Sequence, residues 1–442
     1  MAYLSTMSKL YTFNFHQSSK GGILLSSEQK VWSLSDRWNR ENGYRQVLSI
    51  AFPLVLSMGS VAIMLFVDRM FLTWHSAEAV AASMPAGMLN FALMTLFMGT
   101  AGYTSTFVAQ YHGAGRHDRI GPTVWQGIYI AMIGGGGLFA LGPFAGIFFR
   151  FIGHDVAIRE NEIVYFRLLC LGAMPFVASA AVAGFFSGRG RAWPVMWVNV
   201  LATSINALMD YVLIFGHWGF PELGIKGAAI ATVISSSVGF IVYLALLSKR
   251  ANNTQYRTIS GWRFDQALFR RLVRFGLPNG LQFFIDMIGF TVFILFMGRL
   301  GTVPLAAINI AMSIHILGLL PMIGVGIAIS VLVGQSLGRD RPDLAERSVY
   351  AGAHICFIYM ATAAALYWFV PGVFLSIFSA QADAESFDEI RPIAIAALRF
   401  VAVFSLFDTL NIVFSSALKG AGDTRYIMFM ALLVSVVGLV IP

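Results

Sequence analysis

Charge is scarce in this sequence, and cysteine scarcer still. Asp, Glu, Lys and Arg make up 12% of its 442 residues, against about 25% in a soluble globular protein. The two cysteines, Cys170 and Cys356, each stand alone inside an apolar run. That excludes a disulfide framework and a CxxC metal site, and leaves them as small apolar fillers. Eight histidines are scattered without HExxH or comparable ligand spacing, so no catalytic metal and no cofactor is expected. Of these, His315 and His354 lie within apolar runs, where hydrogen bonding between helices is the expected role. Residues 1–45 are polar and lack the apolar core of a signal peptide. They read as a cytoplasmic tail, or as an extension from a start codon placed too early.

What is abundant is apolar length. Hydrophobic residues are 57% of the chain and the mean hydropathy is +0.72. Runs of about 20 apolar residues, each able to cross roughly 30 Å of hydrocarbon, recur throughout. The expected fold is therefore an all-α polytopic membrane protein. Eleven spans are expected, near 46–74, 80–111, 122–149, 163–187, 193–216, 225–248, 272–298, 303–337, 346–370, 392–418 and 425–442. The net charge of +8 does not signal nucleic acid, because Lys and Arg sit in short loops between spans. Most fall on the side shared with the N-terminus: Arg116 and Arg119, Arg189 and Arg191, the stretch 249–274, then Arg339, Arg341 and Arg347. The positive-inside rule places that side in the cytosol.

The chain also repeats. "AFPLVLS" (51–57) aligns with "GLPNGLQ" (276–282) at an offset of 225, which also sets Gln110 on Gln335 and Gly113 on Gly338. Further along the offset becomes 232: "SGRGRAWPVM" (187–196) meets "KGAGDTRYIM" (419–428), and Arg167 meets Arg399. Six spans in the first half is an even number, so the second half enters the membrane in the same orientation. The halves are then parallel repeats about an axis along the membrane normal. The expected division is a tail (1–45), a six-helix N-terminal lobe (46–250), a linker (251–271) and a C-terminal lobe (272–442). At the offset of 232, Pro442 falls on Asp210, so the second repeat is expected to stop within its fifth helix, without a twelfth.

Four acidic residues lie inside spans: Asp68, Asp210, Asp286 and Asp408. A carboxylate at a helix centre costs about 2.5–3.5 kcal/mol on insertion scales, so each is a functional candidate. Asp68 and Asp210 stand at one level, about 9 Å below the outer ends of their spans at the helical rise. Asn206 precedes Asp210 by four residues, Gln282 precedes Asp286 by four, and Asn411 follows Asp408 by three. Each spacing puts a polar neighbour on the face of its acid. One carboxylate can hold a proton, a Na⁺ ion or an organic cation, and such competition is what an exchanger needs. Asn206 and hydroxyls such as Thr232 would add neutral oxygens for Na⁺, whereas a proton needs only the carboxylate.

These residues resemble the multidrug and toxic compound extrusion (MATE) transporters, from about residue 44 to the end. The matching motifs are "FVDRMFL", "AQYHGAG" and its counterpart "GQSLGRD", "NALMDYVLIFG", "GIKGAAIATVIS", "LPNGLQFFID" and "FDTLNIVFSSALKGAGDT". The resemblance implies two six-helix lobes around a central cleft, in a monomer of the plasma (inner) membrane with a cytoplasmic N-terminus. It implies export of small organic cations or amphiphilic drugs in exchange for Na⁺ or H⁺. By motif, Asp68, Asn206 and Asp210, with Thr232, become a cation site that would hold the Na⁺. Asp286 and Asp408, with Gln282 and Asn411, become the substrate or proton-coupling positions.

Two rivals need weighing. A lipid-linked sugar flippase of the same superfold would use a basic cavity; Arg167 and Arg399 keep it as the alternative, although the charges deep in the spans are acids. "GAGD" (420–423) fits the GxGD pattern of intramembrane proteases, but its repeat partner "GRGR" has no acid. A turn explains it better, and no enzyme is expected.

Overall fold

The structure is a computed structural model and describes residues 38–152, 154–379 and 384–435. Most of the expected tail therefore lies outside the described residues, as do 380–383 and the last part of the eleventh span.

The described residues are helical, with no strand among them. The N-terminal half contains α1 (Tyr44–His75), α2 (Ala77–Gly102), α3 (Thr104–Gly113), α4 (Ile120–Leu141), α5 (Ala145–Ile152), α6 (Val156–Ser187), α7 (Trp193–Phe215) and α8 (Ile225–Leu247). A short α9 (Arg250–Tyr256) follows, and then α10 (Gln266–Gly298), α11 (Thr302–Gly338), α12 (Pro342–Phe369), α13 (Pro371–Ser379), α14 (Ala384–Ala421) and α15 (Thr424–Ser435). Among the described residues ten segments are long and apolar enough to cross a membrane, matching the first ten expected spans; the eleventh is described only as α15. Large apolar side chains point outward along them, among them Ile63, Phe66, Phe400 and Phe407. Without surrounding water that exposure is the expected surface of a lipid-solvated bundle.

Several boundaries differ from expectation for local reasons. The second span breaks at Tyr103 into α2 and α3. The linker is shorter than 251–271, because Asp265 caps α10 by accepting a hydrogen bond from the Leu268 N–H at 3.0 Å. The tenth span extends through Ala421, so Lys419 belongs to the last turn of α14 instead of a loop. Gly422, at φ 99°, ends that helix, and Asp423 Oδ1 accepts from the Tyr426 N–H at 3.3 Å to start α15. "GAGD" is thus a helix-to-helix turn.

The two halves meet along matched helix pairs, α2 with α10 and α11 with α1. Asn279 Nδ2 donates to the Gly99 carbonyl at 2.8 Å, and a Cβ on Gly99 would lie 2.7 Å from the Gly280 Cα. At the offset of 225, Gly324 is the counterpart of Gly99, and it packs against Val55, itself the counterpart of Gly280. Both contacts lie toward the end that carries the basic loops. There Arg189, 7% exposed, stacks 3.6 Å from the Phe185 ring and 4.6 Å from the Tyr256 ring; burial lowers its guanidinium pKa below the ordinary value.

Candidate functional site

The expected neighbours in the N-terminal half do come together. Helix α7 presents a polar stripe at Asn199, Thr203, Asn206 and Asp210, spaced 4, 3 and 4 residues apart and so on one face. That stripe packs on α1. Asn199 Nδ2 donates to Ser57 Oγ at 2.6 Å, and Thr203 Oγ1 donates to the Ser60 carbonyl at 3.1 Å. Above them, Asn206 with its amide nitrogen turned to the acids donates to Asp68 Oδ1 at 2.7 Å and to Asp210 Oδ2 at 3.3 Å. The orientation follows from the partners, which are acceptors only.

This cluster is buried. Asn206 and Asp210 are fully buried and Asp68 is 8% exposed. The two carboxyl groups interact directly, and Asp210 Oδ1 has no hydrogen-bond partner. Two buried carboxylates in contact repel strongly unless a proton or a cation lies between them. The oxygens gathered here are those of two carboxyl groups, one of them without a partner, which suits a hard cation or a proton. Tyr165 of α6 is a further neighbour, buried and within electrostatic reach of both acids. Nothing in its local pattern in the sequence separates it from core tyrosines. The spacing of Asn199 and Thr203 from Asn206, by contrast, was available there. Thr232 is not joined to the acids by a hydrogen bond: its hydroxyl donates to the Ala228 carbonyl of its own helix at 3.1 Å.

The C-terminal acids have a different setting. Asp286 is exposed on α10, and Gln282 Nε2 donates to its Oδ2 at 3.3 Å. Asp408 on α14 lies 3.9 Å from His315 Nε2 of α11, and its other neighbour is Asn411, whose Oδ1 accepts from Ser415 Oγ at 3.2 Å. The two acids feel each other's charge, but each has its own partners. A built-in cation completes the group. Lys419 Nζ lies 4.6 Å from the Phe283 ring centre and interacts electrostatically with Asp286. Neither His315 nor Lys419 was assigned to the site from sequence, because each comes from a helix whose rotation only packing reveals.

Other charged residues take structural roles. Arg167 donates from Nε to the Gly142 carbonyl at 3.1 Å and from Nη2 to the Pro143 carbonyl at 3.3 Å. Arg399 lies 5.7 Å over the Trp368 ring. His354 Nδ1 is 2.8 Å from the Tyr44 hydroxyl, a helix-to-helix bond. Among the described residues no three His, Cys, Asp or Glu side chains gather as a metal site.

Known proteins share this architecture. The MatE family model matches residues 53–212 and again 278–442, the two matches starting 225 residues apart as the repeat does. A probable multidrug resistance protein NorM of Brucella suis is 28% identical over 405 residues, covering 90% of this chain and 85% of that one. Multidrug resistance protein PmpM of Pseudomonas aeruginosa is 26% identical, covering 88% of this chain and 80% of that one. A solved multidrug resistance MATE family transporter of the MOP superfamily, in an outward-facing conformation, superposes with a TM-score of 0.81 at 21% identity, covering 89% of this chain and 86% of that one. A MOP superfamily transporter from Pyrococcus furiosus gives 0.79 over the same coverage. With the model matched in both halves of an all-helical membrane fold, this chain belongs to the MATE family of membrane transporters.

Proposed function

We propose that this protein exports small organic cations and amphiphilic drugs from the cytosol in exchange for Na⁺ or H⁺. The observation that carries the reading is the bridge of Asn206 between Asp68 and Asp210, buried and with one carboxylate oxygen unpartnered. A cluster so fully buried suits a small coupling ion and excludes a drug. Asp286 and Asp408 are more accessible, and bulky cargo with a positive charge suits them. The names of the NorM and PmpM relatives support drugs as cargo. The distribution of Lys and Arg supports a cytosolic N-terminus in the plasma (inner) membrane. An inward-negative potential contributes about 2.3 kcal/mol per charge per 100 mV to an entering cation, and exchange passes that on to cargo leaving.

The test is efflux of a fluorescent lipophilic cation from cells lacking their own pumps, under imposed Na⁺ and pH gradients. Gradient-driven efflux that disappears in Asp210→Asn supports the exchanger, and the gradient that drives it names the ion. Absence of efflux from inserted protein across several dyes turns the reading toward the flippase.

A further inference from the structure

At the end of the bundle that carries the basic loops, the halves are joined by one contact made twice. Gln110, in α3 of the N-terminal half, donates from Nε2 to the Gly420 carbonyl of the C-terminal half at 3.1 Å. Gln335, in α11 of the C-terminal half, donates from Nε2 to the Gly188 carbonyl of the N-terminal half at 2.8 Å. Gln110 and Gln335 are equivalent at the offset of 225, and Gly188 and Gly420 at 232. The backbone around them is reciprocal too. A Cβ on Gly113 would overlap the Gln335 carbonyl, and a Cβ on its equivalent Gly338 would overlap the Gln110 carbonyl. Gly190 at φ 75° and its equivalent Gly422 at φ 99° turn the chain beside the two amide nitrogens.

The acceptors explain why such a contact can open. Gly188 follows the last residue of α6 and Gly420 lies in the last turn of α14, so their carbonyls have no onward helical donor. Only the opposite half or water can satisfy them. A hydrogen bond that water replaces is weak in net terms. Gly113 and Gly338 bring bare backbone to the closest approach, so neither position adds a side chain that interlocks across the seam.

One bolt also touches the candidate cargo site. The carbonyl of Lys419, next to Gly420, accepts from the Tyr103 hydroxyl at 2.8 Å, while its ammonium lies over Phe283 and attracts Asp286. The backbone of residues 419–420 is thus held by the N-terminal half, while the side chain of 419 lies over Phe283 of the C-terminal half, one helical turn from Asp286. We propose that Gln110 and Gln335 are paired bolts of the cytosolic gate, and that Lys419 links the Gln110 bolt to Asp286. An exchanged cation or proton that neutralises Asp286 from the outer side releases the lysine and, with it, that bolt, so that the gate opens to cytosolic cargo. Gln110, Gln335 and Lys419 are then positioning residues of the transport cycle. The inference rests on the transporter reading above and on the orientation given by the positive-inside rule.

Ser336, 3% exposed beside Gln335, is a suitable reporter. Ser336→Cys is placed in a chain whose buried native cysteines are replaced (Cys170→Ala, Cys356→Ala), and a membrane-impermeant maleimide is applied to inside-out and right-side-out vesicles. Gln110→Met and Gln335→Met keep the side-chain volume and remove the donor; Gln335→Asn keeps a donor but shortens its reach. Each is expected to speed labelling several-fold from the cytosolic face, by similar factors. Asp286→Asn is expected to speed it in the parent and to add nothing in Gln110→Met. Unchanged rates from both faces in the Gln variants overturn the gate. An additive Asp286→Asn effect overturns the link through Lys419. Acceleration confined to the opposite face keeps the gate and overturns the orientation. Labelling needs no cargo, so a failure of the drug-export reading shows separately, as absent efflux with the gate responses intact.

Discussion

Asn206 donates to Asp68 across the α1–α7 packing at 2.7 Å, and with the same amide group reaches Asp210 at 3.3 Å. A neutral side chain that serves two buried acids distinguishes two kinds of substitution. Asp210→Asn removes a buried charge and its repulsion, so thermal stability in detergent is expected to hold or rise while gradient-driven efflux is lost. Asn206→Leu removes the donor and leaves both acids, and is expected to cost about 1–3 kcal/mol of stability, the usual penalty for an unsatisfied buried group. Melting temperatures of the purified variants, beside dye efflux, check both. A stabilised Asn206→Leu would contradict the bridge.

Lys419→Met tests the other acid site. With the lysine gone, Asp286 keeps its hydrogen bond from Gln282 and loses a nearby positive charge. A cationic dye then meets an uncompensated carboxylate, and its Kd is expected to fall several-fold, with neutral amphiphiles unaffected. Equilibrium binding to purified protein with one dye of each kind reads the difference. Equal shifts for both dyes would place Lys419 outside the charge interaction.

The glycines of the seam make a prediction that depends on position. Gly113→Ala and Gly338→Ala each place a methyl group against a backbone carbonyl, which cannot swing aside. Overpacking of this kind costs about 1–3 kcal/mol, and the pseudo-symmetry makes the two losses similar. Gly59 and Gly137, with nothing within 4 Å of a Cβ, are helical positions where alanine is expected to be neutral or to stabilise by about 0.5–1 kcal/mol. Thermal melts of the four variants measure this directly.

Asp423→Asn is expected to change little. Its carboxylate receives the Tyr426 N–H at the start of α15, and asparagine caps a helix about as well. Dye efflux within about twofold of the parent fits a turn; abolished efflux would require a role that the capping geometry does not supply.

The sequence by itself determined the membrane architecture. Runs of about 20 apolar residues have no other stable solution than helices across a bilayer, because unpaired backbone groups cannot be solvated there. It also exposed the repeat, since Gln110 with Gln335 and Gly113 with Gly338 keep their spacing, and it singled out the acids, whose insertion cost makes them conspicuous. The Asn206–Asp210 pairing needed only helical periodicity. Partners on other helices were out of reach, because periodicity sets which residues share a face but not which helix that face meets. Only packing placed Asp68 beside Asn206, brought Tyr165 near both acids and aimed Thr232 at its own backbone. Only packing extended α14 to Ala421, so that Lys419 lies over Phe283 while its neighbour Gly420 accepts the amide of Gln110. That last relation joins two halves of the chain, and no local pattern in either half contains it.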